Sequence, residues 1–91
     1  MPAAVRQNTA LSRFELDADG ETAVANYRIA NGVMIFTHTE TPGHLRGRGI
    51  ASQLVEGAMA QARAQGLKVR GACDFVRDYL ARHREFDDIV A

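Results

Sequence analysis

Two dipeptides, Asp19-Gly20 and Asn31-Gly32, constrain the fold of this chain more than any other feature. Asp-Gly and Asn-Gly pairs favour tight hairpin turns, because both residues of each pair tolerate positive φ angles. The two pairs divide the segment from Leu11 to Glu40 into three runs of strand-like residues. The sequence therefore predicts an antiparallel meander of three strands.

The third run, residues 33–40, carries apolar residues at both odd and even positions, so we expect an interior strand that is partly buried on both faces. Because side chains alternate along a strand, one face is predicted to carry Met34, Phe36, His38 and Glu40. The opposite face is then predicted to carry Val33, Ile35, Thr37 and Thr39.

An amphipathic helix is predicted after this strand, since its apolar residues fall on one half of a helical wheel: Ile50, Ala51, Leu54, Val55, Ala58, Met59 and Ala62. Gly66 is placed to end this helix. Residues 67–72 are expected to return as a strand beside the third one, and a second helix is expected from about Asp74, the predicted N-cap. The fold class is α+β: a mixed, mostly antiparallel sheet, built as a meander and a strand-helix-strand crossover, with helices covering at least one face.

The length of 91 residues allows one small domain over residues 1–91, of which we expect residues 1–10 to be flexible. The N-terminus has no apolar core of a signal peptide, and no apolar run approaches the roughly 18 residues of a membrane span, which predicts a cytoplasmic protein that does not insert in a membrane. The single cysteine and the three separated histidines do not have metal-ligand spacing, so no metal is expected.

Eleven basic and eleven acidic residues give zero formal charge, which provides no electrostatic reason to expect a nucleic-acid partner. Aromatic residues, at 7%, leave few side chains for stacking on bases. If the protein bound nucleic acid, the contacts would come from six arginines whose positive charge is balanced by acidic residues in the rest of the chain: Arg46, Arg48, Arg70, Arg77, Arg82 and Arg84.

The segment TPGHLRGRGIASQLV, residues 41–55, joins the predicted third strand to the N-terminus of the first helix. The first turn of a helix has unpaired N–H donors and the positive end of the helix dipole, and glycines allow a phosphate to approach them closely. The segment does not contain a Walker loop. Its glycines match a dinucleotide fingerprint only in part, because Ser52 stands where the last glycine of that pattern should be. The alternatives at this point are a phosphate site or a tight turn with solvated arginines.

The run Arg46–Ala51 resembles the pyrophosphate loop of the GNAT acetyltransferases, Gln/Arg-x-x-Gly-x-Gly/Ala, and stands where that superfamily has it, between strand and helix. The stretches FTHTETPGHLRGRGIAS, GLKV and FVRDYLARHREFDDIV, with a cysteine between the last two, are similar to the compact GNAT-like proteins often called YjdJ-type. The resemblance covers nearly the whole chain from Phe14. It implies a trimmed GNAT fold and an N-acetyltransferase that uses acetyl-CoA and acetylates an amine-bearing small molecule or protein.

This resemblance implies that backbone groups at the end of the third strand contact the pantetheine arm and that the loop holds the pyrophosphate. The implied cofactor-binding residues are Glu40, Thr41, Arg46, Gly47, Arg48, Gly49, Ile50, Ala51 and Ser52. The chain departs from the family pattern at Thr41, at Gly43-His44, at Arg70-Gly71 and at residues 83–86. Since the changes at Gly43 and Arg70 flank the expected cleft, the acceptor stays open.

Four residues are catalytic candidates: Cys73, Tyr79, His38 and Glu40. By resemblance, Tyr79 lies near the thiol end of the cofactor, where it can protonate the departing thiolate, while His38 and Glu40 can relay a proton from the amine. Cys73, expected just before a helix N-terminus, either carries the acetyl group as a thioester or lines the acetyl pocket.

Each catalytic candidate also has a structural explanation. Cys73 and Tyr79 have the character of packed core residues, His38 that of a structural histidine, and Glu40 that of a solvated strand end. The alternative function is therefore a module that binds CoA, an acyl-CoA or a protein partner without catalysis.

Overall fold

The computed structural model describes residues 4–91, which form a five-stranded sheet with two α-helices and two short 3₁₀ turns. The elements are β1 (Arg6–Asn8), β2 (Arg13–Ala18), β3 (Glu21–Ala30), β4 (Val33–Glu40), a 3₁₀ turn (Gly43–Leu45), α1 (Ile50–Ala64), β5 (Lys68–Gly71), α2 (Asp74–Arg82) and a second 3₁₀ turn (Arg84–Ile89). The strands lie in the order β1-β2-β3-β4-β5, with β5 parallel to β4 and the others antiparallel. This arrangement confirms the predicted α+β fold. Strand β1 lies within the segment that was expected to be flexible.

The two hairpin turns have the backbone geometry that their sequences predict. Asp19 and Gly20 have φ angles of 51° and 77°, and Asn31 and Gly32 have φ angles of 53° and 76°. Two consecutive residues with positive φ match the right-handed twist of the flanking strands. These turns therefore fix the register of the β2–β3 and β3–β4 hairpins.

Both helices cover the same face of the sheet. The buried side chains of that face are Phe14, Leu16, Ala23, Ala25, Tyr27, Met34, Phe36 and Val69. They form one core with the buried stripes of the two helices, which are Ile50, Leu54, Val55, Ala58, Met59 and Ala62 on α1 and Val76, Tyr79 and Leu80 on α2. Burial of these apolar surfaces provides most of the driving force for the fold.

The ends of the helices show one agreement and one difference. After α1, Gly66 adopts a φ of 74°, the left-handed conformation that commonly ends a helix. At the start of α2 the N-cap is Cys73 and not Asp74, whose carboxylate lies in the first turn and pairs with Arg77. The prediction of Asp74 as the N-cap is wrong by one residue.

The face of the sheet away from the helices carries a buried carboxylate, Glu15. Its oxygens accept hydrogen bonds from Arg13 Nε at 2.6 Å, Arg6 Nε at 2.8 Å and Asn8 Nδ2 at 3.2 Å. The hydrogen bond from Arg13 is the largest cause that lowers the pKa of Glu15. This cluster ties β1 to β2 on the uncovered face.

A β-bulge interrupts the alternation of β4. Asn26 pairs with His38 while the next residue of β3, Tyr27, pairs with Phe36, so Thr37 is one extra residue. A bulge of this kind shifts the following side chains to the opposite faces. The prediction that His38 and Glu40 share a face with Met34 and Phe36 is therefore wrong: Thr39 turns toward the helices, and His38 and Glu40 lie together on the other face.

Strands β4 and β5 separate at Phe36. Their last pair is Phe36 with Gly71, and the Phe36 carbonyl accepts hydrogen bonds from the N–H groups of Ala72 at 2.9 Å and Cys73 at 3.1 Å. Beyond this point the chain turns into α2, so among residues 4–91 no strand lies beside residues 37–40 of β4 on its β5 side. The unpaired half of β4 therefore diverges from the segment that leads into α2, and we call this opening the V; its vertex lies at Phe36.

Candidate functional site

A cleft of about 640 Å³ lies between the end of β4, the following loop and the N-terminus of α1, and we call it the glycine-loop cleft. Eight of the nine predicted cofactor-binding residues line it: Glu40, Thr41, Arg46, Gly47, Gly49, Ile50, Ala51 and Ser52. The ninth, Arg48, does not. The fold thus brings the end of β4 and the glycine loop together around one cavity.

The loop exposes a row of backbone donors to this cleft. Gly47 and Gly49 have φ angles of 80° and 76°, a conformation that favours glycine, and Gly49 is the N-cap of α1 without a side-chain cap. Within residues 4–91, no protein group accepts a hydrogen bond from the N–H groups of residues 47–52. Five of these six residues line the cleft, all except Arg48, so their N–H groups, at the positive end of a helix dipole, can bind an anion.

The amide of Arg46 is not part of this row, because it donates to the Gly43 carbonyl at 3.3 Å. Its exposed guanidinium lies beside the end of β4, with Nε 3.4 Å from the Thr41 carbonyl oxygen. Arg46 therefore contributes its side chain to the cleft and not its N–H.

The β2–β3 hairpin contacts the loop through two pairs of side chains. The Arg48 guanidinium pairs with Asp19, which explains why Arg48 does not line the cleft, and the hydrogen bond from Arg48 lowers the pKa of Asp19 below its usual value. One residue past the turn, Glu21 lies 3.0 Å from His44 Nδ1. The conformation of the loop is thus coupled to a hairpin that the sequence analysis did not include in the site.

His38 and Glu40 lie side by side at the cleft. His38 Nε2 is 3.6 Å from Glu40 Oε2, and both side chains are exposed. The bulge places both residues on the face opposite the one predicted, but they still share one face, as predicted. An imidazole and a carboxylate in this arrangement can accept and pass on a proton.

Cys73 lies at the vertex of the V, half-buried behind the cleft wall. Its Sγ is 4.0 Å from Oγ1 of Thr39, a cleft-lining residue that the bulge turns toward the helices. Among the described residues, no histidine forms a hydrogen bond with this sulfur. Cys73 is therefore near the cleft but lacks a visible base.

Tyr79 is only 4% exposed and lies in the core between α1 and α2. Its ring stacks on His83 with centroids 3.9 Å apart, and burial, with smaller contributions from Glu56 and Glu85, raises its pKa to about 12. The hydroxyl stays protonated near neutral pH, but a pKa so far from neutrality makes it a weak general acid. Tyr79 does not line the cleft.

Phe75 takes the cleft-lining position on α2, one turn before Tyr79, and is 38% exposed. Sequence reasoning did not include this residue among the site candidates. It also missed Thr39 and Leu45, both of which line the cleft. The available signal for Phe75 was its position in the first helical turn, directly after Cys73.

The comparisons with known proteins agree with this geometry. Residues 13–89 match the family model described as GCN5-related N-acetyl-transferase. The chain belongs to the GCN5-related N-acetyltransferase family. This result confirms the resemblance inferred from the loop and identifies the chain as an acetyltransferase of this superfamily.

A solved structure shows the same fold. The chain matches the NMR solution structure of a GCN5-like protein from Staphylococcus aureus with a TM-score of 0.76 and 23% sequence identity. The match covers 98% of this chain and 88% of the other. Nearly the whole chain therefore corresponds to the fold of that protein. Over the described residues, none of the helices has the length and apolar character needed to cross a membrane.

Proposed function

We propose that the glycine-loop cleft binds acetyl-CoA and that the protein transfers the acetyl group to an amine. The observation that carries this proposal is the row of unbonded N–H groups at the N-terminus of α1: five of these six groups belong to residues that line the same cleft as the end of β4. Family membership supports acetyl transfer as the reaction.

The residues present fit the cofactor in two places. The N–H groups of residues 47–52, together with the Arg46 side chain, provide donors for a pyrophosphate. Residues 37–40 offer backbone groups that no β5 neighbour uses, so an extended pantetheine arm can pair with them as a strand would. The V between β4 and α2 then directs the arm toward Cys73.

Acetyl-CoA supplies a thioester carbonyl: the amine nitrogen forms the new C–N bond, the C–S bond breaks, the amine loses a proton and CoA leaves as a thiol. The single proton that the amine loses passes to the His38–Glu40 pair, whose side chains are both exposed and 3.6 Å apart. The Tyr79 hydroxyl is the candidate donor for the departing sulfur. We favour direct transfer with Cys73 lining the acetyl pocket, since a covalent carrier needs a base beside its sulfur.

One observation favours the second candidate function, a non-catalytic module that binds an acyl-CoA. Cys73 and Tyr79 both lie outside the cleft lining, and Tyr79 is packed in the core. A protein of this kind would bind acetyl-CoA through the same loop without turnover.

Calorimetric titration with acetyl-CoA tests the proposal, using a matched pair of variants at the two ends of α1. Gly49 and Gly66 have φ angles of 76° and 74°, and a Cβ at either position meets no atom of the described chain within 4 Å. Valine therefore introduces similar backbone strain at both sites. We expect Gly49→Val to weaken acetyl-CoA binding at least about tenfold, because only Gly49 lines the cleft.

Gly66→Val should bind acetyl-CoA as the parent does, and circular dichroism of both variants checks their folding. Equal affinities in the two variants would contradict the site. Mass spectrometry of the parent protein with acetyl-CoA and no acceptor tests the role of Cys73: an acetylated Cys73 peptide would show a covalent carrier, whereas we expect none.

A further inference from the structure

A second cleft, of about 420 Å³, lies on the outer side of β5 against α2 and the C-terminal 3₁₀ turn, and we call it the arginine cleft. Three exposed arginines line it, Arg70, Arg77 and Arg84, with Asp87 as the one acidic residue. Leu80 and Val90 add apolar surface. The function described above uses none of these residues.

The arginine cleft offers more positive charge than its internal pairs neutralise. Arg84 pairs with Asp87 at 2.7 Å and Arg77 with Asp74 at 3.0 Å, both as exposed pairs of residues three apart. Exposed pairs of this kind are weak and exchange readily for another anion. Arg70 has no ion-pair partner within residues 4–91.

The edge of β5 adds backbone groups to the arginine cleft. The N–H of Lys68 donates to the Gly32 carbonyl at 3.0 Å and that of Ala72 to the Phe36 carbonyl at 2.9 Å. The backbone N–H and C=O groups of the even-numbered residues therefore point toward β4. In a parallel pair of strands, the backbone groups of the intervening residues point away from the partner strand, here toward the free edge of β5. The Val69 carbonyl accepts from Ala91 N–H at 2.9 Å, whereas the outward N–H of Gly71 has no acceptor in the described part of the chain.

The two clefts lie on either side of the same short segment. Gly71 forms the last β4–β5 pair before the vertex of the V, and the Arg77 N–H donates to the Cys73 carbonyl at 3.1 Å. From the first turns of α2, Phe75 lines the glycine-loop cleft and Arg77 lines the arginine cleft. The segment 71–77 therefore separates a molecule held in the arginine cleft from the place where the acetyl group is expected, and the acceptor has to extend past it.

We infer that the arginine cleft anchors the acceptor, and that the acceptor is an amine that also carries a carboxylate. The fork-like guanidinium of Arg70 matches a carboxylate, and arginine clusters select such groups. Arg70 and Cys73 are three residues apart, which places their Cα atoms at most about 10 Å from each other, so the carboxylate and the amine are separated by several bonds. The carboxylate is unchanged in the reaction, and the amine proton passes to His38 and Glu40 as before. This inference rests on the proposed function.

Two amines that differ by the carboxylate test the inference. 6-Aminohexanoate has one amine and one carboxylate, and hexylamine has only the amine. We expect kcat/KM for acetyl transfer to be about tenfold higher for 6-aminohexanoate, because charged hydrogen bonds of this kind contribute at about that level. Arg70→Gln should remove the preference. Arg82→Gln should keep it, because Arg82 is an exposed residue of α2 that pairs with Asp78 and lines neither cleft.

A binding measurement separates this inference from the proposed function. In ¹⁵N spectra of the protein, hexanoate should shift the Gly71 amide, and Arg70→Gln should abolish that shift. If the protein binds acetyl-CoA but acetylates the two amines equally, or acetylates neither, the anchor is wrong and the acetyl-CoA site stands. Hexanoate shifts that persist in Arg70→Gln also contradict the anchor. Failure to bind acetyl-CoA contradicts the proposed function, whatever hexanoate does.

Discussion

The two clefts present positive charge to a ligand in different ways. The glycine-loop cleft uses backbone N–H groups at the start of α1, whereas the arginine cleft uses guanidinium groups on flexible side chains. Backbone donors depend on the path of the chain and not on side-chain identity, apart from the glycines that permit this path. Ligand choice at the first cleft therefore depends mainly on the backbone, whereas ligand choice at the second depends on which side chains line it.

The clefts also differ in the entropy that binding costs. The donors of the glycine loop are held by the N-terminus of α1 and by two side-chain contacts to the β2–β3 hairpin, so little conformational freedom is lost on binding. Arginine side chains lose rotamer freedom when they are fixed. Tight binding is therefore expected at the first cleft and weaker, more selective binding at the second.

Among the variants that test the comparison of the two clefts, we expect the largest change in activity from Glu40→Gln. The substitution keeps the backbone of β4 but removes the carboxylate beside His38. We expect kcat to fall about 100-fold, since a general base contributes at that level, while acetyl-CoA affinity and the preference for 6-aminohexanoate stay the same. Steady-state kinetics and calorimetry provide the measurements.

Asp78→Asn is the control for this variant, because Asp78 is an exposed carboxylate on α2 that pairs with Arg82 and lines neither cleft. A Glu40→Gln protein that turns over at the parent rate would show that Glu40 is only a solvated strand end. A loss of acetyl-CoA affinity with an unchanged kcat would instead place Glu40 in cofactor binding alone.

The elements of the fold could be predicted because they rest on local signals. The turn pairs at Asp19 and Asn31, the apolar stripe of α1 and the glycine after it each specify geometry through neighbouring residues. The order of the strands then follows, because a meander and a parallel crossover leave few arrangements. The glycine loop was predictable for the same reason, since its glycines and its place before a helix are local features.

The faces of β4 could not be predicted in the same way. The bulge at Thr37 depends on how β3 and β4 pair across the sheet, and no residue at this position requires it. Strand periodicity therefore assigned His38 and Glu40 to the wrong face. The arginine cleft was also missed, because Arg70 on β5 and Arg84 after α2 meet only in the folded chain.

A smaller effect is expected from the two tyrosines, which form a matched pair. The Tyr79 hydroxyl has no hydrogen-bond partner within the described chain, whereas the Tyr27 hydroxyl accepts from Gln7 Nε2 at 2.8 Å. We expect Tyr79→Phe to lower kcat about tenfold or less, because its raised pKa makes it a weak acid. Its thermal stability and acetyl-CoA affinity should not change.

Tyr27→Phe should show the reverse pattern, with a loss of about 1 kcal/mol in unfolding free energy and an unchanged kcat. Kinetics and thermal denaturation of both variants distinguish the two roles. If Tyr79→Phe keeps the full kcat, Tyr79 is a core residue and the departing sulfur takes its proton elsewhere.

The smallest effect is expected at the turn that holds the glycine loop. Arg48 lowers the pKa of Asp19, so the carboxylate is ionised and the ion pair is formed near neutral pH; it would be lost only as the pH falls through that lowered pKa. Asp19→Asn releases Arg48, which can then turn toward a bound pyrophosphate. We expect acetyl-CoA to bind about two- to threefold tighter, a modest gain because exposed pairs are weak, while the preference for 6-aminohexanoate is unchanged.

Asp17→Asn, in the same hairpin but paired with Arg6, should have no effect on either measurement. Weaker binding in Asp19→Asn would show that the pair with Arg48 shapes the loop for the cofactor and does not compete with it.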